Sequence, residues 1–67
     1  MITVNVNGKT QQTSSQSTLE DLINQLGLSA KRIAVEMNGQ IIPKSQHKNT
    51  PLTEHATLEI VVAVGGG

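Results

Sequence analysis

The chain has 67 residues, a net charge of zero from five basic and five acidic side chains, no cysteine and no aromatic residue. Without a basic field or stacking rings it lacks the means of ordinary nucleic-acid binding, and its longest apolar run, Ile60 to Val64, is far below the ~20 residues that span a bilayer. A domain this small buries only ~60% of the surface its unfolded chain exposes, which leaves little material for the walls of a catalytic cleft, and it has neither a thiol nucleophile nor cysteine ligands for zinc.

The opening segment "ITVNVNG" alternates apolar and polar residues, with Ile2, Val4 and Val6 on one side. That period of two predicts a half-buried strand beginning at Ile2, with no targeting segment expected ahead of it. Asn7-Gly8 predicts a two-residue hairpin turn, because both residues tolerate positive φ. The return strand "KTQQT" is polar, which suits a sheet edge.

In "STLEDLINQLGL" the period changes. Leu19, Leu22, Ile23 and Leu26 fall at i, i+3, i+4 and i+7, the inward stripe of a helix predicted over Thr18–Leu26. Ser17 with Glu20 three residues on reads as a capping box, and Gly27 suits a left-handed C-terminal stop. Glu20 and Asp21 stand in the first turn, where acids favour the helix dipole, so they are not a catalytic pair.

A third strand is predicted over Ile33–Met37, turning at Asn38-Gly39 into "QII", which Pro43 ends. Residues 44–57 read as a polar connection with a turn at Thr50-Pro51 and Leu52 as an anchor. The only two histidines, His47 and His55, fall in this connection eight residues apart, with no closed ligand set around them. They are expected to be solvated loop residues, with no metal site. Glu36 and Glu59, on predicted strands, are expected to face solvent. No nucleophile triad and no glycine-rich phosphate loop stands out, so the chain is not expected to be an enzyme.

The last strand carries Leu58, Ile60, Val62 and Val64 on one face and Val61 and Ala63 on the other. Apolar on both sides, it belongs in the sheet centre, slotted between Ile2–Val6 and Ile33–Met37 and parallel to the first. The architecture implied is α+β: one helix across one face of a mixed sheet of four or five strands, forming a single domain over residues 1–64. Val61 and Ala63 then lie on the face away from the helix. They are either a docking patch or a surface covered by a loop or by strand twist.

Residues 65–67 are three glycines. They are either a frayed end or a handle. As a handle, Gly65 and Gly66 pass through a channel too narrow for a Cβ, and the α-carboxylate of Gly67 is the reactive group delivered. A carboxylate is a poor electrophile until ATP converts it to an acyl-adenylate, from which a thiolate or persulfide can displace AMP.

The segments "ITVNVNGK", "STLEDLINQLGL", "IAVEMNGQIIPKSQ" and "LEIVVAVGGG", in this order and at this length, resemble the thiamine-biosynthesis sulfur carriers of the ThiS family, within the ubiquitin-like β-grasp proteins. Two departures from many relatives are the absence of an aromatic residue within Val62-Ala63-Val64 and at His47. The resemblance implies a protein co-substrate: an E1-like adenylating enzyme of the ThiF type uses ATP to activate Gly67, a sulfur donor such as a cysteine desulfurase supplies the thiocarboxylate sulfur, and a thiazole synthase of the ThiG type consumes it. It also implies that the carrier binds no cofactor of its own and is a monomer when free. The lack of cysteine fits a reducing cytoplasm. The alternatives are a β-grasp carrier serving molybdopterin or cysteine synthesis, a ubiquitin-like modifier joined to target lysines, and a plain interaction domain.

Overall fold

The computed structural model describes residues 1–63. Its elements run β1 (Ile2–Val6), β2 (Lys9–Thr13), α1 (Leu19–Gln25), β3 (Ile33–Met37), β4 (Gln40–Ile42), a 3₁₀ helix (Lys44–Asn49) and β5 (Thr57–Val62). The five strands make one sheet in the order β2-β1-β5-β3-β4. The polar β2 is an edge strand, and β5 lies centrally, parallel to β1 and antiparallel to β3. Both hairpins turn where the Asn-Gly pairs predict: Asn7 and Gly8 have φ of 52° and 86°, Asn38 and Gly39 of 52° and 85°. Positive φ at both central residues gives the strands the twist a two-residue turn requires.

The helix buries the expected stripe. Leu19 and Leu22 are fully buried and Ile23 nearly so, against Val4, Val35, Leu58 and Ile60 from the sheet, while Leu26 packs partly buried at the margin. Its cap is shifted by one residue from the Ser17–Glu20 box. Thr18 is the N-cap, its hydroxyl accepting from the Asp21 N–H, and the Asp21 carboxylate accepts from the Thr18 N–H. Ser17 is occupied elsewhere: it is buried, its hydroxyl 3.0 Å from that of Thr13, which in turn donates to the Gln25 side-chain oxygen. The helix ends at Gly27, φ 76°, with Leu28 N–H donating to Ile23 O and Gly27 N–H to Asn24 O, the paired bonds of a Schellman stop.

Two further corrections concern residues 44–57. Residues 44–49 are a 3₁₀ helix rather than an irregular connection. His47 within it is buried, its Nε2–H donating to the Ile42 carbonyl at 3.1 Å, so it is a wall residue and not a solvated loop histidine. The ring nitrogen must be the donor because a carbonyl can only accept. His55 is exposed, at φ 65°. Leu52 is buried, as the anchoring reading required.

The turn asparagines also clasp β5. β1 ends at Val6, and there the Asn7 amide takes over the ladder: its Nδ2–H donates to Ile60 O at 2.9 Å and its Oδ1 accepts from Ile60 N–H at 2.8 Å. Asn38 holds Thr57 on the other side by a mixed pair, its backbone N–H donating to Thr57 O at 2.8 Å and its Oδ1 accepting from Thr57 N–H at 2.9 Å. Replacing Asn7 with glycine keeps the positive φ and removes only the amide. This is expected to cost about 1–2 kcal/mol in urea denaturation, because two β5 backbone groups lose their partners in a partly wet site. An unchanged midpoint would show that water replaces the amide fully.

Candidate functional site: the end of β5 and the faces around it

The central position of β5 decides where the chain's last residues leave the fold. Register pairs Ile33 with Val62, Ala34 with Val61 and Glu36 with Glu59. One step beyond, the Ala63 N–H donates to Arg32 O at 2.9 Å, the last ladder bond before the described residues end. Val64, expected on the inner face, and Gly65, Gly66 and Gly67 lie outside the described residues.

On the face away from α1, Val61 is 63% exposed and Ala63 and Ala34 are exposed. Neither a loop nor strand twist covers Val61. Ile41, 75% exposed, pairs with Glu36 and extends the patch across β4. Glu36 and Glu59 face solvent here as expected, but they also stand directly opposite each other, a like-charge pair that works against the sheet. Sequence reading placed Val61 and Ala63 on this face. It missed Ala34 and Ile41, which come from strands distant in sequence and join them only through the register.

Among the described residues no group of three or more His, Cys, Asp or Glu side chains is placed to hold a metal ion. No helix of the described residues is long and apolar enough to cross a membrane. Glu20 and Asp21 are both exposed at the helix start, with Asp21 committed to the cap.

One helix laid over a mixed five-stranded sheet with the first and last strands parallel at its centre is the ubiquitin-like β-grasp fold. A crystal structure of the thiamine biosynthesis protein ThiS from Geobacter metallireducens has this architecture: TM-score 0.82 and 23% identity, covering 98% of this chain and all of that one, 100%. A solution structure of a thiamine biosynthesis protein from the same organism gives a TM-score of 0.78 at 25% identity, over 98% of this chain and 88% of that one. In sequence, the family model described as the ThiS family matches residues 4–67, and the chain belongs to that family.

Longer relatives carry the same unit. The chain is 37% identical over 62 residues to a thiazole synthase of Paramagnetospirillum magneticum, a match that takes in 92% of this chain but 19% of that protein. The chain thus spans about a fifth of the length of that relative. An uncharacterized protein, ycf40, of Pyropia yezoensis is 33% identical over 66 residues, covering 98% of this chain and 93% of its own length.

Proposed function

We propose that this carrier holds sulfur as a thiocarboxylate on Gly67 and delivers it for thiazole formation. The observation that carries the proposal is the family match, which runs from residue 4 through the three glycines to residue 67. The fold supports it. A central strand, paired on both sides and buried on one face, anchors the tail at Ala63, so a pull on the glycines is borne by the whole sheet.

The chemistry proceeds in two displacements. The Gly67 carboxylate attacks the α-phosphorus of ATP and expels pyrophosphate, forming an acyl-adenylate. A persulfide sulfur from the donor then attacks the acyl carbon and expels AMP, and reductive cleavage of the S–S bond by a thiol leaves the thiocarboxylate. The carrier contributes only its terminus. ATP is bound by the partner, an adenylating enzyme of the E1-like ThiF type, with a cysteine desulfurase as sulfur donor and a ThiG-type thiazole synthase as acceptor. The thiazole synthase relative of Paramagnetospirillum magneticum, in which a carrier-like unit occupies part of a longer chain, supports the choice of acceptor.

Incubating the chain with ATP, the adenylating enzyme and a sulfur donor should raise its intact mass by ~16 Da, the exchange of one oxygen for one sulfur. A ladder of conjugates on target proteins in place of that mass would favour a protein modifier instead.

The sheet face of Val61 and Ala63 is the proposed docking surface for these partners. Val61→Asp adds a third carboxylate to a face that already holds Glu36 and Glu59. It should weaken binding to the adenylating enzyme or the synthase at least tenfold, about 1.4 kcal/mol, while the chain stays folded because the side chain is exposed. Unchanged affinity for both partners in a calorimetric titration would remove this face from the interface.

A further inference from the structure

The opposite side of the tail root carries a cleft of about 390 Å³ between α1, the loop into β3 and the 3₁₀ helix. Its apolar lining is Ile23, Leu28 and Ile33, and its cations are Lys31, Arg32 and Lys44. These are three of the chain's five basic residues, gathered around one depression, and Glu20 is the one acid that lines it. The acids Glu36 and Glu59 sit on the other face of the sheet. A molecule of zero net charge is therefore polarised, with a locally positive cleft on its helix side.

His47 shapes the cleft further. Its Nε2–H is spent on Ile42 O, which fixes the ring as a wall and leaves Nδ1 as an acceptor. A cleft with aliphatic residues and a cationic rim selects its occupant by chemistry. A free phosphate would use the cations and leave the apolar surface empty. A nucleotide base would find no ring to stack on, since the chain has none. An extended acidic peptide with aliphatic side chains satisfies both features: carboxylates for the rim and aliphatic groups for the lining.

We propose that this cleft is a second docking surface, binding an acidic, aliphatic segment of a partner protein next to the root of the tail. Arg32 joins the two places: its side chain lines the cleft and its carbonyl accepts the last ladder bond, from Ala63 N–H. Because the cleft and the Val61 face lie on opposite sides of the sheet, one partner can hold the carrier while another engages it. The proposal goes beyond the sulfur-carrying reading and does not depend on it, because the site is complete without the glycines.

The test is a backbone-amide NMR titration of the full chain with an acetylated, amidated peptide, Glu-Leu-Asp-Leu-Glu. The expected result is fast-exchange shifts confined to residues 28–33, Lys44 and His47, saturating below about 5 mM. Binding should weaken at least tenfold in Lys31→Glu/Arg32→Glu and, independently, in Lys44→Glu. All of these side chains are exposed, and each variant's spectrum reports that it is folded. The same shifts should persist in a chain lacking Gly67, which separates this result from the fate of the sulfur chemistry. The proposal is overturned by no shifts at that concentration, or by shifts centred on Ala34, Ile41 and Val61. It is equally overturned if inorganic phosphate or the neutral Gln-Leu-Asn-Leu-Gln peptide binds as well, or if the cleft signals shift with carrier concentration alone, which would make a second copy the occupant.

Discussion

Leu22→Ala is expected to lower the unfolding free energy by about 2–5 kcal/mol, the range for removing a fully buried leucine side chain and leaving a cavity. The size of the effect against the whole is what makes it decisive. At about 0.05–0.15 kcal/mol per residue, a chain of 67 residues has about 3–10 kcal/mol in total. One leucine therefore holds a large share of it. The reason is geometric. The helix has only seven residues, too few to persist alone, so its stability comes from Leu19, Leu22 and Ile23 docking on the sheet. Urea denaturation should show a lower midpoint at an unchanged slope. Ile41→Ala, on the open face and 75% exposed, should stay within about 0.5 kcal/mol of the parent. Equal effects from the two substitutions would mean that the helix stripe is not the core.

The features legible in the sequence are those in which local and global requirements coincide. Asn7-Gly8 and Asn38-Gly39 announce their turns because positive φ is a property of the residue itself. The apolar stripe Leu19–Leu26 gives the layers, and the apolar run of β5 gives its central place in the sheet, although only the face of Leu58 and Ile60 is buried and Val61 stays exposed. The helix cap shows where local rules become degenerate. Ser17 with Glu20 and Thr18 with Asp21 both spell a capping box, and the choice falls to the tertiary contact that draws the Ser17 hydroxyl to Thr13.

The 3₁₀ helix was hidden for a related reason. Lys44–Asn49 has no apolar period, and what holds its one buried residue, His47, is a bond to Ile42 O that exists only once the β3–β4 hairpin has formed. The clasp of Asn7 on Ile60 spans 53 residues and needs the parallel pairing of β1 with β5 before it can be drawn. For the candidate site, Val61 and Ala63 were readable from strand alternation. Ala34 and Ile41 beside them, and the cationic cleft behind, are products of register and of loop packing.

Removal of Gly67 is expected to abolish sulfur loading completely and to leave thermal stability unchanged. The loss follows from reach: without Gly67 the chain ends in a Gly66 carboxylate, about 3.5 Å short of the position at which the adenylating enzyme would present ATP, and no side-chain carboxylate can take its place. Glu20, Asp21, Glu36, Glu54 and Glu59 are all borne on folded elements or short loops, and none can be threaded lengthwise into an enzyme. The unchanged stability follows from the structure, because the core cluster of described residues ends at Ile60, with Ile33 and other partly buried side chains packed around it. Gly66→Leu should fail to load for a different reason, since its side chain blocks a passage shaped for bare backbone while the carboxylate remains intact. The two variants thus separate reach from shape. With ATP and the adenylating enzyme but no sulfur donor, neither should release pyrophosphate above background, whereas Val61→Asp should do so when the enzyme concentration is raised. Intact mass spectrometry after full incubation reads the outcome directly. A chain ending at Gly65 that still gained ~16 Da would place the sulfur on another group and end the thiocarboxylate reading.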